Sequence, residues 1–181
     1  MSKVTIAGDV NGSGVFTIAA PNGNTNRTLV LPDEAGTIAL AQSLSYIRLN
    51  TTNGHGSTNT TIRRFTNVVN NVGSDMTYAD SATLGMSVTI NTDGIYSVSH
   101  SGTFSVGGWV GVSINSSQLT TNIVAISVSD VLTVTYSEAG VGRVASATFY
   151  APASSIIRAH TGGQGNDTPI NSSQFTIARV A

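Results

Sequence analysis

The sequence predicts an all-β protein, and three observations support that fold class. Short apolar alternations recur at regular spacing, clusters of Gly, Asn, Asp and Ser separate them, and no segment shows a convincing helical period. Many short strands without a helix are typical of a β-sandwich or a β-barrel. From residue 62 onward the alternating segments are 62–65, 76–78, 85–90, 95–104, 109–115, 123–127, 131–137, 143–150, 155–160 and 174–180.

Residues 1–41 are predicted to form a small unit of short β segments. A first strand over 14–20 stops at a proline, a second covers 27–31, and a third covers 37–40, with Gly-containing turns between them. Three strands this short are marginally stable alone. We therefore expect this unit to be stabilised by identical chains or by a partner surface.

A polar, Gly-rich stretch over residues 50–59 predicts a boundary between two modules. It divides the chain into an N-terminal β segment (1–41), a linker (42–60) and a head (61–181). Residues 41–49, just before the polar stretch, are compatible with either a short helix or a short strand.

The clearest strand signal lies in residues 84–104. Met86, Val88 and Ile90 alternate with hydroxyl residues, an Asn-Thr-Asp-Gly turn follows, and a second alternating run continues to Phe104. This pattern predicts two half-buried strands joined by a hairpin or by a corner between strands. His100 lies on the apolar side of the second run, which leaves a hydrogen-bonded core residue, an axial ligand in a trimer and a pH switch as interpretations.

Composition restricts the classes of function. Charged residues are 9% of the chain and the net charge is -1, so we expect copies of the protein or a larger particle to cover much of its surface. The 8 Lys and Arg residues are scattered, which excludes nucleic-acid binding through a basic field. Without Cys there are no disulfides or thiolate sites. The chain lacks a signal peptide and any apolar run of roughly 20 residues, so we expect cytoplasmic synthesis without membrane insertion.

Catalytic motifs are absent from the sequence. There is no Gly-x-Ser-x-Gly elbow, no His-Glu-x-x-His, no phosphate-binding loop and no dinucleotide fingerprint. The 9 Asp and Glu residues fall mostly in turns, which disfavours the paired carboxylates of a polysaccharide depolymerase. We predict that the protein is not an enzyme and that it has no catalytic residues, no cofactor and no metal site.

The N-terminal pattern resembles a known module. The runs 16–21, 28–32 and 35–39, two of which end in proline, resemble a short module of tailed-bacteriophage fibre and other virion proteins. The resemblance implies a trimeric, fibre-like stem or an attachment segment, and an ordinary β meander is the alternative. The apolar strand residues expected to attach the protein to the virion are Phe16, Ile18, Leu29, Leu31 and Ile38.

The C-terminal part resembles a second family. The runs 62–65, 112–115, 156–160 and 175–177, together with Gly94-x-Tyr96, are similar to the tumour-necrosis-factor-like jelly roll, the globular head shared with complement and short-chain collagens. The resemblance covers roughly residues 60–181, and it does not align over 128–142. It implies a ten-strand, double-sheet jelly roll that forms a trimer. The aromatic residues assigned to the trimer interface are Phe65, Tyr150 and Phe175, and Phe149 must face the side opposite to Tyr150.

The two resemblances predict a non-enzymatic phage virion structural protein. It would be a homotrimeric head-decoration or head-fibre protein whose N-terminal segment binds the capsid or other virion proteins. Its location would be the virion, after assembly in the host cytoplasm. The alternative is a tail fibre or receptor-binding tip that recognises host surface glycans, with Trp109 as the candidate ligand contact.

Overall fold

A computed structural model describes residues 44–51, 54–162 and 173–181 of the chain. The chain divides into two compact units, Met1–Ala39 and Leu40–Ala181, and every described residue belongs to the second unit, which we call the head. The predicted N-terminal strands and the attachment residues Phe16, Ile18, Leu29, Leu31 and Ile38 lie outside the described residues.

The described part of the head is built from ten strands and two short 3-10 turns. The strands are β1 (Tyr46–Thr51), β2 (Asn67–Val72), β3 (Met76–Ser81), β4 (Gly85–Ile90), β5 (Gly94–Gly102), β6 (Gly108–Ile114), β7 (Val131–Ser137), β8 (Arg143–Ala151), β9 (Ile156–Gly162) and β10 (Ser173–Arg179). The 3-10 turns, Ile123–Ala125 and Val128–Asp130, lie between β6 and β7. No helix in this part of the chain is long and apolar enough to cross a membrane.

The strands form two five-stranded antiparallel sheets. The front sheet has the order β2-β1-β10-β5-β8, and the back sheet has the order β3-β4-β9-β6-β7. The pairings are nested, because β1 pairs with β10, β4 with β9, β5 with β8 and β6 with β7. Eight of the described strands thus form one long two-stranded ribbon, rolled so that its pairs alternate between the sheets, which is a jelly roll. The predicted all-β, ten-strand, double-sheet jelly roll is confirmed for the described head.

The core lies between the two sheets and follows the alternation of the sequence. Met86, Val88 and Ile90 of β4 and Tyr96 and Val98 of β5 are all buried. Because β4 and β5 belong to different sheets, the Asp-Gly turn between them is a corner and not a hairpin. The apolar side of each strand faces the opposite sheet, so both predicted strands are confirmed.

The structure corrects the predicted linker at 42–60. β1 lies within that range, pairs with β10 and β2, and buries Ile47 and Leu49 completely. The head therefore begins before residue 61. The sequence did not predict β2. All six of its residues are exposed, so buried and exposed side chains do not alternate along it. Its pairing with β1 also shifts in register between Arg48 and Leu49.

Two other predicted strands differ in the structure. Residues 123–127 contain a 3-10 turn, whose start is capped by the Asn122 side chain accepting from the Val124 backbone N–H at 3.1 Å. Residues 62–65 are not a strand, and only Ile62, opposite His160, and Arg63, opposite His55, form isolated bridges. The structure gives the strand limits in residues 128–142, where the jelly-roll resemblance does not align. β7 ends at Ser137, and a turn leads to β8, which begins at Arg143.

Candidate assembly and recognition surfaces

The outer face of the front sheet carries small, uncharged side chains. Three rows of paired residues cross the strands β10, β5 and β8 in that order. The first row is Ala178, Ser97 and Thr148, the second is Thr176, Ser99 and Ser146, and the third is Gln174, Ser101 and Val144. We call this surface the hydroxyl face. On the adjoining strand β1, Arg48 donates a hydrogen bond to Gln174 Oε1 at 3.2 Å. A neutral surface of this kind can pack against another protein without the large cost of desolvating an unpaired charge.

Apolar side chains border the hydroxyl face at β8. Tyr150 is 62% exposed and Val144 is 59% exposed, and Ile95, which pairs with Tyr150, is 41% exposed. Phe149 points the other way and packs on Tyr96 with the ring centroids 6.4 Å apart. The prediction that Phe149 and Tyr150 face opposite sides is confirmed.

The interface role predicted for Phe65 and Phe175 is wrong. Both side chains are completely buried between the sheets, and their ring centroids lie 6.0 Å apart. In this fold they stabilise the core of one protomer, because the apolar side of each segment faces the opposite sheet. Tyr150 is on the surface, and its interface role stays a prediction.

His100 lies in the same core and is completely buried. Its Nδ1–H donates to the Gly111 carbonyl at 2.8 Å, and its ring lies 5.9 Å from Phe65 and 6.2 Å from Phe175. Burial lowers its pKa from 6.5 to about 4, because the charged ring would lose its hydration. The structure selects the hydrogen-bonded core residue and excludes an axial ligand, since the ring is inside the sandwich.

Trp109 lies on the outer face of the back sheet. It belongs to β6 and pairs across the sheet with Tyr136 on β7 and with Gly162 on β9. The Trp109 and Tyr136 rings meet edge to face with centroids 5.0 Å apart, and Tyr136 is 47% exposed. The Asn122 side chain covers Gly162, where any added Cβ would overlap with it, so an amide side chain lies over this neighbour of Trp109. The aromatic pair is a candidate contact for a ligand ring.

Two ion pairs hold carboxylates of the described residues. Asp80 Oδ2 accepts hydrogen bonds from Arg64 Nη2 at 2.7 Å and Nε at 3.2 Å, and Asp75 pairs with Arg179 at 3.5 Å. Hydrogen bonds from Ser45 and Thr92, together with the Arg179 charge, hold the pKa of Asp75 below its usual value. Over 44–51, 54–162 and 173–181, no group of three His, Cys, Asp or Glu side chains could hold a metal ion.

Comparison with known proteins gives similarity to solved structures only. No family model and no curated protein matches the sequence. The chain is similar to murine APRIL at pH 8.0, with 13% identity, a TM-score of 0.48 and coverage of 76% of this chain and 99% of that one. It is also similar to GITRL from bushbaby, with 12% identity, a TM-score of 0.48 and coverage of 76% and 95%. The similarity to GITRL from pika has 10% identity and a TM-score of 0.47, and it covers 77% of this chain and 98% of that one. The jelly-roll assignment rests on the nested strand pairing and not on these values.

Proposed function

We propose that the protein is a non-enzymatic structural protein of a phage particle. It forms a homotrimeric head-decoration or head-fibre protein, located in the virion and anchored to the capsid by residues 1–41. The observation that carries the proposal is the hydroxyl face with its apolar border at Tyr150. The resemblance of residues 16–39 to virion modules supports the phage assignment.

The surface properties support association of the head with copies of itself. In a closed ring, the edge of one protomer packs against a face of the next, so two different surfaces are used. Tyr150 and Ile95 supply an apolar border, and the hydroxyl face supplies a flat, neutral surface. Burial of apolar area contributes about 25 cal/mol per Å². A chain with 9% charged residues has little electrostatic repulsion to oppose this contact.

The part of the chain that the structure describes shows no evident reaction centre, which supports the non-enzymatic assignment. Two of the described carboxylates, Asp75 and Asp80, are held in ion pairs, and His100 is completely buried in the core. None of these groups is free to act on a substrate. The expected work of the protein is therefore mechanical, through contacts between subunits and with the particle.

The trimer is tested by the mass of the protein in solution. The wild-type protein should have three times the chain mass of 18.6 kDa, and Tyr150→Asp should shift it to the monomer, because the interface would bury a carboxylate. Tyr136→Asp, at an exposed tyrosine of the back sheet, is the matched control and should stay trimeric. A monomeric wild type, or a Tyr150→Asp variant that remains trimeric, would contradict the proposed interface.

The location in the particle is tested separately. An antibody against residues 61–181 should label the heads of intact virions in electron micrographs. A chain lacking residues 1–41 should remain a folded trimer that no longer joins particles. Label at the tail, or decoration by the truncated chain, would refute capsid anchoring by this segment.

A second candidate function is recognition of a host surface glycan, which the half-buried Trp109 and the exposed Tyr136 favour. The test is binding of the full chain to intact host cells and to isolated surface polysaccharide. Trp109→Ala should abolish this binding while the trimer mass is retained. Undiminished binding by the variant would remove the aromatic pair as the ligand contact.

A further inference from the structure

The connection between β6 and β7 lies on the outer face of the back sheet. Its residues 116–126, which we call the flap, bury Ile123 completely and leave Ile126 only 8% exposed. The Ile123 side chain sits directly over Gly111 of β6, where any added Cβ would overlap with Ile123 Cδ1. The flap is therefore packed against the sheet and covers it.

Two side chains from outside the flap hold its backbone. His160 Nε2 lies 2.8 Å from the Thr121 carbonyl oxygen. Thr61 Oγ1 donates to the Leu119 carbonyl at 2.9 Å and lies 3.0 Å from the same His160 nitrogen. His160 is completely buried at this point, so the flap keeps water from its ring.

The hydrogen bonds define the protonation state of His160 in the closed flap. The Thr121 carbonyl only accepts, so Nε2 carries the hydrogen. The other ring nitrogen, Nδ1, lies 3.1 Å from Ser113 Oγ and accepts from that hydroxyl in the neutral ring. A second proton must therefore enter at Nδ1, where the Ser113 hydroxyl would have to reverse its direction. Burial, together with the nearby Arg158 charge, lowers the pKa of His160, although the bond to Thr121 acts in the opposite sense.

The described side chains around His160 provide no free negative charge that would stabilise a protonated ring. The flap and β6 contain no ionisable side chain, and β9 contains only Arg158 besides His160. The segment that carries Thr61 brings three basic residues, which are His55, Arg63 and Arg64. Asp80, on β3, is engaged by Arg64.

His55 is held in a similar state by Thr161, the residue next to His160. Thr161 Oγ1 donates to the Thr61 carbonyl at 3.1 Å, so it accepts from His55 Nε2 at 2.8 Å. Burial and the Arg63 charge lower the pKa of His55 to about 4. Among the described residues, the surroundings of both rings therefore favour their neutral forms.

We propose that residues 116–126 form an acid-released flap. The flap is closed on the back sheet while His160 is neutral, and it lifts when the ring takes a second proton, because only the open form lets water solvate the imidazolium. Opening exposes Ile123, Ile126 and the strip of β6 around Gly111, next to Trp109. The head thus presents an apolar surface in acid that is covered at neutral pH.

Hydrogen exchange of the full-length protein tests the proposal. Amide protection of the peptide covering 116–126 is measured by mass spectrometry at about pH 7.5 and about pH 5, and it is corrected for the intrinsic exchange rate. The open population should rise by up to about tenfold per pH unit below the solution pKa of histidine, 6.5. Peptides from β5 and β8, which exchange through unfolding of the whole head, should stay far more protected than the flap at both pH values.

Two variants separate His160 from His100, which is also completely buried. His160→Gln retains a donor for the Thr121 carbonyl and cannot be protonated, so flap protection should lose its pH dependence. His100→Asn, which retains a donor for the Gly111 carbonyl, is the control and should leave that dependence unchanged. Equal acid-induced exchange in wild type and His160→Gln, or none in the wild type, overturns the proposal. If His160→Gln fails to fold, NMR titration of the wild type decides, because ring protonation and loss of flap protection must share one midpoint.

Discussion

Acid should destabilise the head through His100, and the expected size follows from its surroundings. The ring is completely buried between Phe65 and Phe175, and its Nε2 finds no hydrogen-bond partner within the described residues. Protonation at Nε2 would place a charge in an apolar site. In the unfolded chain the same nitrogen is hydrated and binds its proton near pH 6.5.

The direction of the pH dependence of stability follows from the lowered pKa of His100 in the folded state. Above pH 6.5 both states are neutral at this position, and the contribution of His100 to stability is complete. Below that value the unfolded state binds more protons, so stability is lost as the pH falls toward about 4. At about 1.4 kcal/mol per pH unit, the whole interval amounts to about 3 kcal/mol.

Urea unfolding at one protein concentration measures this effect at about pH 7 and about pH 4.5. His55 and His160 contribute with the same sign, so the informative quantity is the difference between wild type and His100→Asn. The variant keeps a donor toward the Gly111 carbonyl, and its loss of stability between the two pH values should be smaller by about 2 kcal/mol. A variant that loses as much stability as the wild type would refute this account of His100.

Two further outcomes concern packing and charge. Gly111→Ala should lower the free energy of unfolding by about 1 to 3 kcal/mol in urea titrations, because the new methyl group overlaps with Ile123, and shortening that residue with Ile123→Val should restore part of the loss. Asp80→Asn should destabilise the head by about 1 kcal/mol at neutral pH, since it weakens the two hydrogen bonds from Arg64, and an unchanged denaturation midpoint would show that this pair contributes nothing.

Strands buried on one face could be predicted from the sequence. β4 and β5 alternate strictly, and β7 was predicted with the bounds that the structure shows. β1 was ambiguous because only Ile47 and Leu49 mark its buried side. β2 gave no signal, because an edge strand with all its residues exposed needs no apolar side.

The error at residues 123–127 has a geometric cause. The apolar run Ile-Val-Ala-Ile suggests a buried strand, but only Ile123 and Ile126 are buried. A spacing of three places both side chains on one side of a 3-10 turn. A 3-10 turn could therefore have been predicted from the three-residue spacing of Ile123 and Ile126 and from Asn122 as a capping residue before them.

The assembly surface and the flap could be predicted only in part. Sequence shows that Phe149 and Tyr150 face opposite sides, but the sheet pairing decides which of them is exposed. The contacts of His160 come from Thr61, Ser113 and Thr121, which are distant in sequence. Side chains alternate between the two faces of β9, and Ile157 and Ala159 point into the core. His160 therefore lies on the outer face. Only the fold shows that a loop covers it there.

The position of β1 between β2 and β10 has a consequence for how the head is made. The first and last strands of the head are neighbours, with Tyr46 opposite Ala178, so their contact has a large sequence separation and forms late. During synthesis, Ile47 and Leu49 must wait for β10 to leave the ribosome before the front sheet can close. A nascent chain interrupted before Ser173 would expose the open edges of both β1 and β5, and such edges are where newly made chains aggregate.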